Sequence, residues 1–362
     1  MTLKHYNSIF KISFLVLFLG INSVSFASEN TNKKFSPNEM IIEHIVDAHE
    51  WHVAKIGHTH ISIPLPIILY DEGKIVMFCS SKFHHGMSSY KGYKLEIEGE
   101  NKNKIVKTKG ESMEADEVAN LPLDFSITKN VLSLFISILI LCLIFIGIAK
   151  SYKRNEGHAP KGLQSMLEPI ILFIRDDIAK PSIGEKYYKF MPFLLTVFFF
   201  IFLNNVLGLI PFFPGGANLT GNIGVTGVLA VMTFLITTFS SNKYYWIHIV
   251  NTPGVPWWLK FPIPLMPLVE IMGVFIKPFV LMVRLFANIS AGHIIALGFF
   301  SLIFVFGEMN PFMGYGVSII SVGFTIFMGL LELLVAFIQA YVFTFLSALY
   351  FGMAIESSHE GH

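Results

Sequence analysis

Residues 313–353 read MGYGVSIISVGFTIFMGLLELLVAFIQAYVFTFLSALYFGM, and Glu332 is the sole charged residue in that run. A hydrocarbon core of roughly 30 Å is crossed by about 20 apolar residues in a helix, so a stretch this long and this apolar belongs in a membrane. As one helix it would reach about 60 Å, at about 1.5 Å per residue, twice the thickness it has to cross. Tilts average about 20° and seldom pass 40°. The helix is therefore predicted to be steeply inclined, bent, or projecting into water. A strongly tilted pair with the preceding span is the expectation, which would present a long flank to a partner.

The rest of the 362 residues fits that setting: 53% are hydrophobic, 36 are Phe and only 14% are charged, against about 25% charged in an average globular protein. Mean hydropathy is +0.60. Lys and Arg number 26 against 25 Asp and Glu, which leaves no field to attract polyanions. Disorder, a coiled coil and a nucleic-acid binder are excluded. Working back from the last span, further apolar stretches run over Pro262–Phe306, Val228–Ser240, Phe190–Ile210 and Val131–Ala149, so about five transmembrane helices are predicted. Pro211–Gly227 separates the second span from the third. Residues 160–180 place Leu163, Leu167, Ile170, Ile171 and Ile174 at helical spacing opposite Arg175, Asp176 and Asp177, the pattern of an amphipathic surface helix. The fold class is thus an all-α polytopic membrane protein over 129–362, with a small α+β domain before it.

That domain, residues 28–128, follows a predicted signal peptide over 1–27: Lys4 and Lys11 flank the start of an apolar Ile12–Ile21, and Ser25-Phe26-Ala27 offers small residues for cleavage. The mature N-terminus would then lie outside the cytoplasm. Asn38–Val53 reads as a helix. Ile61–Tyr70 and Lys74–Cys79 read as a hairpin about Asp71-Glu72-Gly73, Lys94–Glu98 and Lys104–Thr108 as a second one, and Glu111–Asn120 as an acidic linker. Histidines crowd the segment at 44, 49, 52, 58, 60, 84 and 85. His49 and His52, one helical turn apart, are the candidates for sharing a metal ion; they stand one residue short of the His-Glu-x-x-His pattern, and a solvated helical face explains them more simply. Two cysteines, Cys79 and Cys142, make no disulfide framework.

Orientation follows from the short loops. Lys150–Lys189 carries eight Lys and Arg and the loop after the third span carries Lys243 and Lys260, whereas Pro211–Asn222 and Gly307–Gly316 carry none. The basic loops and the C-terminus are placed in the cytoplasm, in agreement with a signal peptide at the other end.

An ionised side chain at mid-bilayer costs about 2.5–3.5 kcal/mol even on the gentler insertion scale. Glu270, Lys277 and Arg284 recur every seven residues, each about 20° from the last around a helix. Asn288 is one turn beyond Arg284, and His293 points roughly the other way. Glu332 and Gln339 repeat the spacing on the final helix, so one polar stripe runs down each helix and the two are expected to face each other. Lys277 snorkels to the surface as readily as it takes part in chemistry. Glu270 is either its structural partner or a group on a proton path. His293 is a satisfied buried imidazole or a relay near neutrality. Arg284 stays charged in any protein environment and requires an anion. A fixed cation of this kind blocks direct proton passage while attracting any carboxylate brought past it, with protonatable groups on either side serving separate aqueous routes: a stator.

The stretch Lys277-Pro278 through Val283-Arg284-Leu285-Phe286-Ala287-Asn288-Ile289-Ser290-Ala291-Gly292-His293 resembles the signature of the F-type ATP synthase a subunit. Leu207-Gly208-Leu209-Ile210-Pro211, the Glu332 to Gln339 spacing and Tyr341-Val342-Phe343 support the likeness, which covers about Leu121 to His362. The resemblance implies that Arg284 faces the carboxylate of a rotating c-ring and that Glu270, Asn288, His293, Glu332 and Gln339 line or adjoin two half-channels. It also implies the c-ring, a peripheral-stalk b subunit and the rest of the synthase as partners, in a bacterial inner membrane. Many bacterial relatives have Glu where His293 stands and His where Glu332 stands; here the pair is exchanged, as in mitochondrial forms. The long extracytoplasmic segment lies outside the common family pattern. With no G-x-x-x-x-G-K-[ST] loop in the chain, ATP chemistry is assigned to other subunits and no cofactor is expected. The His293 and Glu332 pair leans towards protons over Na⁺. The alternatives are an independent channel or transporter with its substrate at mid-membrane, for which two matched halves are not evident, and a haem- or metal-binding membrane protein, for which only His293 lies within a span.

Overall fold

The computed structural model describes residues 36–38, 41, 46–56, 59–97, 99, 101–109, 114–116, 119–154, 158–210, 215–251 and 265–355, with the side chains of 52–56, 59–61 and 265 left aside. The signal peptide expected over 1–27, together with His44 and His58, lies outside the described residues.

Strands come first. β1 (Glu50–Ile56) pairs antiparallel with β2 (Thr59–Pro64), with an irregularity between His52 and Ala54. This corrects the helix expected to run on to Val53: cross-strand pairing claims residues 50–56, so His49 and His52 are not one helical turn apart. β3 (Pro66–Asp71) and β4 (Lys74–Cys79) form the expected hairpin. Its two turn residues, Glu72 and Gly73, have φ of 47° and 79°, the double positive φ that a tight hairpin turn demands. β5 (Tyr93–Leu95) pairs with β6 (Ile105–Lys107), and β7 (Leu123–Asp124) closes on the free edge of β3. Ile67 and Leu69, alternate residues on β3, are fully buried with Phe83, Tyr93 and Ile105, the period-two signature of a sheet with one covered face.

Around this core one polar knot stands out. The Tyr93 hydroxyl donates to Asp71 Oδ2 at 2.8 Å, and Lys107 Nζ lies 2.8 Å from the same carboxylate and 2.9 Å from Glu72. Burial works to raise the Asp71 carboxyl, but the bonds from Lys107 and Tyr93 outweigh it and hold the group below its ordinary value. Burial and the bond to Asp71 push the Tyr93 phenol up to about 12. Only the neutral phenol donates, so its contribution to folding is complete below about pH 10, where a free tyrosine ionises, and disappears as pH rises through about 12. In an absorbance titration of the full chain one tyrosine should ionise late. Tyr93→Phe should remove that late phase and cost about 1 kcal/mol of stability at neutral pH.

The helices follow: α1 (Lys129–Arg154), α2 (Leu163–Phe173), a π-helical turn over Ile174–Ala179, α3 (Lys180–Ile183), α4 (Tyr187–Leu209), α5 (Ile223–Ser240), α6 (Lys243–Val250), α7 (Leu265–Met309) and α8 (Pro311–Ile355). Among the described residues five helical stretches, 129–154, 163–209, 223–240, 266–309 and 311–355, are long and apolar enough to cross a membrane. Two boundaries differ from expectation. α5 starts five residues earlier than Val228 because the Asn222 side chain accepts from Gly224 N, satisfying one of the orphan donors of a first turn. α6 forms where a loop is read, too short to show a period.

In the 160–180 segment Leu167 and Ile174 are buried while Leu163 is exposed, and Arg175 and Lys180 both reach Asp176. Gly184, at φ +74°, turns the chain before α4. The main core gathers Leu194, Val197, Phe198 and Ile201 of α4 with Leu281 and Leu285 of α7 and Ala340, Phe343, Ala348 and Phe351 of α8. Small residues on α8 allow backbones to close; the Cα of Gly352 lies so near Ser182 O that no Cβ fits. Asn242 donates through N and Nδ2 to the carbonyls of Ala354 and Ile355, capping the end of α8.

α7 and α8 form an antiparallel hairpin whose register is marked by four contacts. Gly307 meets Gly314, the rings of Phe299 and Phe324 lie 4.1 Å apart, Gly292 meets Glu332, and Lys277 Nζ sits 5.5 Å over the Tyr350 ring. Interpolating between these pairs puts Arg284 level with Tyr341 and Val342.

Candidate functional site

Helical periodicity sorts α7 into two faces. Leu281 and Leu285 are 2% and 1% exposed, locked in the core, while Val283, Arg284, Ala287, Asn288 and Ala291 lie on the open side. Arg284 has no carboxylate within ion-pair distance among the described residues; Tyr350 is within its electrostatic reach. The two polar stripes therefore do not simply face each other, as the spacing suggests. Glu332 packs towards α7 and Gln339 is buried, but Arg284 and Asn288 look outward. The seam between the helices is filled by close-packed apolar and small side chains, and a guanidinium there would be buried unpaired.

Two polar clusters flank Arg284 along α7. Seven residues before it, about 10 Å at helical rise, Lys277 lies within electrostatic reach of Glu270 and under the influence of Tyr350, and Glu270 acts on Tyr245 of α6. A small pocket of about 20 Å³ opens here, lined among others by Thr233, Thr237, Tyr245, Lys277 and Tyr350; that is room for a single water.

Nine residues beyond Arg284, about 13 Å along the helix, stands His293. Two glycines make its surroundings. A Cβ at Gly208 of α4 would sit 3.6 Å from His293 Nε2, and one at Gly292 would sit 2.6 Å from Glu332 Oε1. Glycine at both positions thus lets an imidazole and a carboxylate lie directly against helix backbone. Glu332 Oε1 is buried without a hydrogen-bond partner among the described residues. A buried acceptor left in this way costs about 1–3 kcal/mol, the kind of cost carried by a group whose partner is a proton in transit.

Sequence reasoning missed the polar residues that surround this pair. Asn205, 3% exposed, donates from Nδ2 to Ala336 O at 3.3 Å and accepts from Thr220 Oγ1 at 2.6 Å. Ser290 Oγ donates to Gly221 O, and Asn218 Nδ2 is buried with no hydrogen-bond partner among the described residues. The signal was present: Asn204 and Asn205 sit side by side in an otherwise apolar span, where polar groups are costly.

His49 is placed by a carboxylate, not a metal cluster. Its Nε2 lies 2.7 Å from Asp124 Oδ2, and no group of three or more His, Cys, Asp or Glu is arranged to hold a metal ion among the described residues. Burial works to raise the Asp124 carboxyl, but hydrogen bonds from His49 and Ser126 win and keep it below its ordinary value.

Comparison with known proteins adds to this geometry. The model of a family described as ATP synthase A chain matches residues 131–352, and one described as a domain of unknown function matches residues 40–125. The chain is 45% identical over 246 residues to the ATP synthase subunit a of Chloroherpeton thalassium, covering 66% of this chain and 69% of that one. It is 46% identical over 248 residues to the ATP synthase subunit a 2 of Chlorobaculum tepidum, covering 66% of each. To the ATP synthase subunit a of Myxococcus xanthus it is 41% identical over 245 residues, 66% of this chain and 75% of the relative.

Proposed function

This chain belongs to the ATP synthase A chain family, and on that footing we propose that it is the proton-translocating membrane subunit of an F-type ATP synthase. It is a multi-pass membrane protein that works with the rest of that complex, including a c-ring and a peripheral-stalk b subunit. One observation carries the mechanism: Arg284 stands on the outward face of α7 without an ion-pair partner among the described residues. A guanidinium in a lipid layer needs an anion, and a carboxylate on a neighbouring ring supplies it.

Protons enter from one side through His293 and Glu332, load the ring carboxylate, and leave through the Lys277 and Glu270 cluster after the ring has turned. Asn288, one turn beyond Arg284 on the same face, lines the ring-facing surface. Gln339, buried on α8 less than a turn from the level of Arg284, holds the wall between the two routes. Arg284 prevents a proton from crossing directly, because a carboxylate drawn to it gives up its proton first. The length of α7 supports a strong tilt: Gly208, in the last turn of α4, is already beside His293, and α7 continues for sixteen residues beyond.

In this reading 1–27 is a signal peptide, 28–128 an extracytoplasmic domain of strands with helical parts, and 129–362 the membrane domain of a bacterial inner-membrane protein with a cytoplasmic C-terminus. Extraction in mild detergent should bring down a ring of small hairpin subunits and a nucleotide-hydrolysing head, and the vesicles should acidify with ATP equally well with and without Na⁺. Purification of the chain alone, or acidification that demands Na⁺, would overturn the reading as a proton subunit.

A further inference from the structure

At the foot of the strand region a second cluster of titratable groups sits against the start of α1, outside everything used so far. We propose that His49, Asp124, Asp47 and Lys129 form the outer mouth of the proton path, collecting protons on the side where α1 begins and passing them to His293. This rests on the function proposed above and adds a site to it.

The cluster is built and buried. His49 is 7% exposed, its Nε2 lies 2.7 Å from Asp124 Oδ2, and its Nδ1 is enclosed without a hydrogen-bond partner among the described residues. One residue back, Ala48 O accepts from Lys129 N at 2.9 Å. Asp47 Oδ1 accepts from Ala48 N at 2.9 Å and from Asn130 N at 3.0 Å. Segment 47–49 is thus stitched onto the first turn of α1, where free N–H groups favour a carboxylate. Lys129 is only 8% exposed, and its charge reaches both Asp47 and His293. Its charge is thus felt both in the strand region and at the membrane histidine.

The route inward is polar as well. Lys129, Ser133 and Ser137 fall four apart on α1, all under 9% exposed, and so share one face. Phe135, Ile138, Leu139, Leu143 and Ile146 are exposed on the other side. Asn130, 5% exposed, adds a second enclosed atom, Oδ1, without a partner among the described residues. Ser133 and Ser137 are small enough to let helices close, and Ser137 Oγ donates to Leu134 O on its own helix, whereas Lys129 is an ionisable group whose burial marks an ion pathway. An enclosed imidazole nitrogen and an enclosed amide oxygen, both open to a partner, suit a short hydrogen-bonded chain of water.

The charged group in contact with His49 is Asp124 from β7; Asp47 from its own segment and Lys129 from α1 are the charged residues joined to the adjacent Ala48 by hydrogen bonds. Glu50 beside it is engaged instead by His85 at 2.8 Å and by Ser62. The step is a proton transfer alone. A proton binds at Nδ1, the resulting imidazolium is balanced by the Asp124 carboxylate, and the proton leaves to the next hydrogen-bonded carrier, restoring neutral imidazole.

The test uses the intact complex in proteoliposomes, with ATP synthesis driven by an imposed proton gradient and rates expressed per assembled complex. The pH of the compartment facing the strand region is varied. His49→Gln should slow synthesis roughly ten-fold where protons are scarce, converge on the wild type as that compartment is acidified, and recover when free imidazole is added to it. Lys129→Gln should behave alike, and Lys129→Arg should restore the rate. A loss equal at every pH and untouched by imidazole means a structural role and overturns the proposal. So do wild-type profiles in both variants while Arg284→Ala is inactive, which leaves the proposed function standing. Activity in Arg284→Ala would instead sink that function itself.

Discussion

Arg284→Ala should abolish ATP-driven acidification of inverted vesicles while the complex still assembles. The side chain lies on the open face of α7, so its removal disturbs no core packing; the buried neighbours Leu281 and Leu285 do that work. In the proposed mechanism, what disappears is the cation opposite the ring. At an effective dielectric of about 20, two charges about 4 Å apart interact by about 4 kcal/mol, which is about three decades in rate. Two losses follow at once. The ring carboxylate loses the charge that makes it release its proton, and protons slip between the two routes without turning the ring. Passive proton leak through the membrane sector should therefore rise as coupled pumping falls. Arg284→Lys keeps a charge but as a compact, strongly hydrated ammonium, and should recover only a small part of the rate. Pumping at the normal rate in the alanine variant would show that the exposed guanidinium has no partner that matters.

Gly292→Val should come next in size, with a different signature. A Cβ at this position would stand 2.6 Å from Glu332 Oε1 and 3.2 Å from its Cγ. Glu332 is a flexible side chain, so it gives way and the helices stay packed. The carboxylate is then pushed off by more than an ångström, a misplacement that costs about 100-fold in a positioned reaction. Assembly should hold while pumping per complex falls by that order, and adding Glu332→Asp, shorter by one methylene, should return part of it.

Gly352→Ala is the counterpart. There the obstacle is Ser182 O, a backbone atom that cannot rotate away. Overpacking of that kind costs about 1–3 kcal/mol, so less complex should form, each copy running at its normal rate. If Gly292→Val pumps normally per assembled complex, Glu332 is not held where the proton passes.

Much of the architecture was open to reading because its causes are local. Uncharged runs of twenty or more residues have one stable home, and the 45-residue lengths of α7 and α8 were implied by apolar sequence with only a few widely spaced charges on both sides of Pro311. The hairpin about Glu72 and Gly73 was legible for the same reason, since two residues at positive φ make a turn wherever they stand. The strand over Glu50–Ile56 was not. Its glutamate, alanine and lysine suit a helix, and only pairing with Thr59–Pro64 turns the balance. α6 escaped because eight residues hold barely two turns of period.

For the site, chemistry was legible and direction was not. Arg284, Glu332 and His293 are conspicuous in the chain because charge in oil is costly wherever it occurs. Composition and spacing alone were enough to say that the chain spans a membrane and carries a permanent cation within it. That Arg284 looks outward while Glu332 lies against the backbone of Gly292, that Gly208 clears space for His293, and that Asp47 is bonded to the head of α1 all depend on segments tens to hundreds of residues apart meeting in one register. Hydrophobic burial follows from each residue's own surface and can be summed along a chain. Which face of a helix finds a partner follows from packing among all the helices together, and no single stretch contains it.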